Sequence, residues 1–418
     1  SVFECSNGAL RFVRRHWDIA TKFHGAGPPP PSVGDTARSL VEAMDAISAA
    51  YPHPLVDLTG GYDSRLVFAA MLETGRPFTA IVNGPANSRD VMVAKSVASA
   101  FAVPLLHGER PDLAADEAWS RAAATIPLTD GEFDALLYFN TMQVHRSSAE
   151  RFSASVNGSN GEITKGYWYE LLFPHTGRTG HFDPRRIAAK RFVFDLEPSP
   201  ILAARFDLSL VDEFAAFLDA ANRDIIHLPN TALLDNAYLS LRMQYWQGRI
   251  ASSTLRIWPV TSPFFFRRPM ELAMATPGTV RLRLGLTTRL IEALNPRLAA
   301  MPLEHGYPAQ PIRPSNAHRF VVPLIQEYWP KVRQRLPFPP ARVHGAPELS
   351  LPARLATLPA VRSLLDFDSM ASATLYNPDV FRPWLQACLT PGAPSSLHRL
   401  GRVLTIELAA RAAARFHS

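Results

Sequence analysis

The chain has 418 residues, 47% hydrophobic and 19% charged, enough for two or three domains or one large α/β body with a helical annex. No stretch approaches the roughly 20 consecutive apolar residues that span a bilayer, and the opening "SVFECSNGALRFVRRHWDIA" lacks the uninterrupted apolar centre of a signal peptide. The net charge of +6 rests on scattered arginines, since lysine occurs only at Lys22, Lys95, Lys165, Lys190 and Lys331; with no basic-aromatic run, small anions such as phosphates are expected as partners, not nucleic acid or membrane.

Residues 1–50 begin irregularly and pass through "GAGPPPPSVGD", a proline-rich linker or stiff loop. "TARSLVEAMDAISAAY" has helical periodicity, with Asp35 as its N-cap. "PLVDL" is a short strand, and "LVFAAML" a helix that stops at Gly75. "PFTAIVNG" reads as a second strand ending in the loop "GPANSRD". In "DVMVAKSVASAFAV", Val91, Ala94, Ala98 and Phe101 share one helical face, with Asp90 as a simple N-cap. "PLLHG" is a third strand, and His107 at its end reads as structural. A helical interval at 133–150 precedes "FSASVNGSNGEITKGYWY", another strand with a glycine-bearing loop. From about residue 185 the pattern is mostly helical and punctuated by proline. The alternation predicts an α/β fold, a parallel twisted sheet with helices on both faces, and a mostly helical C-terminal part. Three regions follow: 1–50 as N-terminal segment and linker, 51–185 as a nucleotide-binding core, and 186–418 as a helical substrate-side region. Cys5 and Cys388 are too few for a disulfide framework and suit a reducing, cytoplasmic setting.

"VDLTGGYDSRLVFAAML" carries the strongest chemical signal. An apolar strand gives way to two glycines, an aspartate and a serine at a helix start. Ligands of open α/β sheets bind beyond the carboxyl ends of the strands, where exposed amides and the helix dipole favour anions. Gly60 and Gly61 let the backbone approach phosphate oxygens, and Thr59 and Ser64 offer hydroxyls. Asp63 beside a polyphosphate is repulsive unless Mg²⁺ lies between them. The plain alternative is a capped strand–helix turn. Neither the Walker lysine nor the G-x-G-x-x-G spacing is present.

"DLTGGYDSR" resembles the S-G-G-x-D-S pyrophosphate loop of the ATP-pyrophosphatase superfamily, and within it the asparagine synthetase family. "IVNGPANSRDVMVAKSVASAFAVPLLH" resembles that family's second strand, loop, helix and third strand. "VNGSNGEITKGYWY" is similar to its second loop, S-G-x-G-x-D-E-x-x-x-G-Y, one residue shorter. "TSPFFFRRPMELAMATP" resembles its E-x-R-x-P-F-L-D segment. The resemblance covers about residues 51–310.

What the resemblance implies is an ATP-dependent ligase. A carboxylate is activated as its acyl-adenylate with release of pyrophosphate, and an amine or ammonia then forms the amide. By position, Thr59, Gly60, Gly61 and Ser64 would cradle pyrophosphate, Asp63 and Glu162 would hold Mg²⁺, and Gly158 and Gly161 would leave backbone room. Val82 and Asn83 would neighbour the adenine of ATP. The family's late lysine, near an R-x-K segment, has no counterpart in "LNPRLAAMPLEHGYPAQPIRPSN"; Lys165 is the leading replacement, with Lys331, Arg297 and Arg313 as others. Glutamine-dependent relatives begin with a catalytic cysteine, whereas this sequence starts Ser1-Val2-Phe3 with Cys5 in unsuitable surroundings, so no glutaminase is expected within these residues. Expected partners are a small-molecule or peptide carboxylate and an amine or ammonia donor, with a separate glutaminase or N-terminal domain left open. Related members without glutaminase activity include β-lactam synthetases and lasso-peptide cyclases, which points to specialised metabolites as much as to asparagine biosynthesis. The reading from another class is a nucleotide-binding scaffold that performs no ligation.

Overall fold

The computed structural model describes residues 2–14, 17, 30–109, 113–193, 201–206, 209–333, 351–390 and 397–416. Ser1 and residues 25–29 of the proline stretch lie outside them. The first strands are Val2–Ser6 (β1) and Ala9–Arg14 (β2), an antiparallel hairpin where the sequence reading expects irregular chain. Asn7 and Gly8, both at positive φ (50° and 76°), turn it. Asn-Gly between alternating residues is the standard signal for such a two-residue turn.

Helix α1 (Val33–Ala50) starts one residue after Ser32, whose side chain accepts from the Asp35 amide while the Asp35 carboxylate accepts from the Ser32 amide. The cap is therefore Ser32, and Asp35 closes a reciprocal capping box three residues on. Its carboxyl sits below the usual range because the Ser32 hydroxyl, and then the Ser32 amide, donate to it.

The main sheet has five parallel strands in the order β5-β4-β3-β6-β7: Leu55–Asp57 (β3), Thr79–Asn83 (β4), Leu105–Gly108 (β5), Ser155–Val156 (β6) and Val260–Thr261 (β7). Alternate residues point to opposite faces, and both faces are covered. Val56, Ala80 and Val82 enter one core with helices α1, α2 (Tyr62–Glu73) and α3 (Arg89–Ala100). Leu55 and Ile81 pack on the other side with Trp258 and with Val144 and Phe152. Burial on both faces explains why these strands read as continuous apolar runs.

Helix α2 is buried from Ser64 through Met71, wedged between the sheet and helix Gly285–Leu294. An apolar surface on all sides is what such a position demands, and a phenylalanine such as Phe68 contributes about 1.5–3 kcal/mol by full burial. Arg65 is the exception within this run. It is 0% exposed, and its guanidinium donates to the carbonyls of Leu298, Met301 and Pro302. It thereby ties α2 to a segment more than two hundred residues away. Further helices from Ala115–Ala123, Ala135–Ala149, Pro378–Leu389 and Leu397–Phe416 share a second core around Phe139, Phe381 and Leu404. Among the described residues no helix is long and apolar enough to cross a membrane.

Candidate functional site

The chain runs from β3 outward to β4 and β5, then returns to place β6 on the other side of β3. This reversal makes a crevice at the carboxyl ends of β3 and β6, the place where open parallel sheets bind ligands. The loop after β3 is residues 58–61, and the loop after β6 is residues 157–160, running into a 3₁₀ turn at Gly161–Thr164. The two glycine-bearing loops of the sequence reading are therefore neighbours across the crevice.

Lys165 joins them. Its ammonium Nζ lies 2.7 Å from Asp63 Oδ2 and 3.2 Å from Glu162 Oε1. Side-chain exposures of 16%, 23% and 29% for Lys165, Asp63 and Glu162 leave the cluster open on one side. Burial pushes the Asp63 carboxyl up to about 6, a rise that Glu162 reinforces and the Lys165 charge opposes. For Lys165, burial acts downward, but the two carboxylates outweigh it and hold the ammonium above its ordinary value. Lys165 is cationic at neutral pH.

Gly158 and Gly161 are required by Asp63. A Cβ on Gly158 would stand 2.7 Å from Asp63 Cβ, and one on Gly161 2.6 Å from Asp63 Oδ1. Their lack of side chains lets the second loop close onto the first. The second loop is held from behind: Ser262 Oγ donates to Ser159 O, Asn160 Nδ2 to Phe264 O, and buried Arg281 to Ile163 O. The segment "TSPFFF" thus props up the loop that carries Glu162.

The first loop is internally bonded. Thr59 N donates to Ser64 Oγ at 3.0 Å, the two hydroxyls lie 2.8 Å apart, and Gly61 N donates to Thr59 Oγ1 at 3.1 Å. Gly60 N donates to Asp90 Oδ1. Asp90 is thus a strut of the diglycine turn, and the cap of α3 is Ser88, whose hydroxyl accepts from Val91 N. The simple N-cap expected at Asp90 is replaced by a contact between α3 and the loop. A phosphate at this turn would take over donors that now satisfy one another.

The remaining expected residues fall as follows. Val82 has its side chain in the core, so only its main chain can face a ligand, while Asn83 is exposed at the strand end. His107 Nε2 lies 2.8 Å from Gly84 O and fastens the loop after β4, the structural role expected of it. Arg297 donates to Ala100 O, and Arg313 pairs with Glu292; both are engaged with other parts of the fold. Lys331 falls in helix His318–Arg333, with its side chain outside the described residues.

Two neighbours escape the sequence reading. Tyr238 opens a π-helix, Tyr238–Gln247, and its hydroxyl is raised well above its ordinary value by burial and then by the charges of Glu162 and Asp63. From the same helix Gln247 Nε2 donates to Ser159 Oγ. π-helical turns gather at functional sites, but nothing in "AYLSLRMQYWQ" separates one from an α-helix. Glu304 is the other, with its amide donating to Gly60 O at 3.1 Å.

Among the described residues no group of three or more His, Cys, Asp or Glu side chains gathers to hold a metal. Two carboxylates nonetheless suit Mg²⁺, which takes one or two from protein and completes its shell with water and phosphate oxygens. Asp63 Oδ1 is buried without a hydrogen-bond partner. An orphaned anionic oxygen of this kind fits a cation ligand. Comparison with known proteins leaves the site to speak for itself: no family model matches the chain, and no curated protein matches it at a significant level.

Proposed function

We propose that this chain is an ATP-dependent ligase resembling asparagine synthetase, which activates a carboxylate as its acyl-adenylate, releases pyrophosphate and forms an amide with an amine or ammonia. The observation that supports this reading most is the convergence of Asp63, Glu162 and Lys165 at the β3–β6 reversal. Asp63 and Glu162 are the residues that would hold Mg²⁺, which when bound offsets phosphate charge. Lys165 supplies a fixed ammonium where negative charge gathers on the phosphates and on the incoming carboxylate. The hydroxyls of Thr59 and Ser64 and the first amides of α2 belong to the loop and helix start that follow β3, and on this reading they would turn from their present partners to donate to anionic oxygens. Holding the carboxylate beside the nucleotide makes their encounter effectively intramolecular.

The test is ATP–pyrophosphate exchange across a panel of carboxylates. Exchange with at least one of them, lost in Asp63→Ala with the fold intact, supports the ligase. A second reading, a nucleotide-binding scaffold, is favoured by one observation: Lys165 already pairs with both carboxylates, and the amides of Gly60 and Gly61 already donate to Asp90 and Thr59. A scaffold binds ATP and releases no pyrophosphate with any carboxylate.

A further inference from the structure

Beyond Glu162 and Lys165 opens a cavity of 580 Å³. Its walls include Trp168, Phe173, Leu282, Arg283 and Leu284. That volume lies within the range, about 300–1,000 Å³, of pockets that enclose ligands much larger than a free amino acid.

Three features of this wall point to a ligand. Trp168, Arg283 and Leu284 all have left-handed backbone, at φ 67°, 54° and 65°. Bulky L-residues avoid that region, and the surrounding fold must hold each one there; such positions cluster at binding sites. Trp168 is also 2% exposed, and its indole Nε1 is buried with no acceptor among the described residues. A buried donor in this state has a hydrogen bond to give to a ligand oxygen or a water. Arg283, by contrast, is exposed and has no carboxylate partner among the described residues, whereas the nearby Arg191 is paired with Glu170 and lies over the Trp168 ring.

We infer that this cavity is the acyl-substrate pocket and takes an N-acylated acidic compound with an aromatic body and two carboxylates. The inference rests on the ligase reading for its direction. One carboxylate meets Lys165, the second meets Arg283, the acyl oxygen accepts from the Trp168 indole, and the aromatic body lies against Phe173 and Leu284. Free aspartate offers the two acids without the acyl oxygen or the ring.

The test titrates N-benzoylaspartate, hippurate and aspartate into the full chain by calorimetry, with and without Mg²⁺ and α,β-methylene-ATP. Benzoylaspartate is expected to bind about tenfold or more tighter than either comparator in at least one condition, the gain a charged hydrogen bond supplies. Arg283→Ala, at an exposed site, is expected to cut benzoylaspartate affinity about tenfold and leave hippurate unchanged. Phe173→Ala, also exposed, is expected to weaken both benzoyl compounds and spare aspartate. Equal binding of aspartate and benzoylaspartate, or indifference to Arg283→Ala, overturns the pocket assignment whatever the exchange assay gives. Selective binding without pyrophosphate exchange keeps the pocket and removes the ligase.

Discussion

The amide of Glu304 donates to the carbonyl of Gly60 at 3.1 Å, and its β-carbon would stand 2.6 Å from any side chain introduced at position 60. The same added carbon would lie 2.8 Å from Asp90 Oδ1. Gly60 is thus fixed by two parts of its own fold as well as by any ligand. At Gly61 the nearest obstacle is Thr59 Oγ1 at 3.4 Å, an ordinary contact. Gly60→Ala is expected to cost about 1–3 kcal/mol, the usual range for overpacking, and Gly61→Ala less than half of that. Urea midpoints of the two variants decide it, and equal losses would mean that the Glu304 contact does not shape the turn.

Lys165 lies between two carboxylates and offsets one of their two charges. Lys165→Met removes the cation from a partly buried cluster, where the full buried-pair penalty is reduced by solvent, and about 2 kcal/mol is expected. Added Mg²⁺ should restore more stability to the variant than to the parent chain, because the ammonium no longer competes for Asp63 and Glu162. Thermal melts with and without MgCl₂ measure the difference. An identical Mg²⁺ response in both proteins argues that the two carboxylates do not bind the ion together.

How far the sequence discloses this arrangement depends on the range of the interaction. The β3–α2–β4–α3–β5 succession is legible because each element carries its own short-range signals: apolar strands, Gly75 after α2, acidic residues at helix starts. Both loops of the site are legible for the same reason, since glycines beside Asp63 and Glu162 break the surrounding patterns. Strand order is not, because nothing local tells β6 to return beside β3. β7 has only two residues, too few to show a period. Arg65 and Arg281 look like surface charges in one dimension, yet both are buried and bond to carbonyls far along the chain. The hairpin at 2–14 is a different case: its Asn7-Gly8 turn was visible and outweighs the irregular look of the flanking residues.

Arg281 also illustrates how the second loop is kept in place. Its guanidinium pairs with Asp235 at 2.6 Å, donates to Thr276 O and Ile163 O, and shares Asp235 with the Tyr169 hydroxyl. The pair is 3% and 6% exposed. Asp235→Asn leaves the guanidinium without its counter-charge, and a loss of about 3–5 kcal/mol is expected. Asp235→Leu combined with Arg281→Met should recover part of that loss in stability. On the ligase reading it should lower pyrophosphate exchange, because Ile163, next to Glu162, loses its anchor when Arg281 is replaced. Full exchange in the double variant would show that the loop needs no such support.

His145 provides a pH dependence on the opposite face of the sheet. Trp258 Nε1 donates to His145 Nδ1 at 3.0 Å, so this nitrogen must remain an acceptor and the ring neutral. Burial lowers the imidazole from its ordinary 6.5 to about 4. With the folded value below the unfolded one, the unfolded chain binds the proton first as pH falls. The stability contributed by neutral His145 is therefore complete above pH 6.5 and drains away between 6.5 and 4. About 2 kcal/mol is expected over that window once partial exposure is allowed for. Replacing the ring with a non-titrating acceptor, His145→Gln, should lower stability at pH 7.5 and flatten its decline toward pH 4.5. Urea titrations at several pH values compare the slopes, and parallel declines in the two proteins would assign the acid sensitivity to other groups.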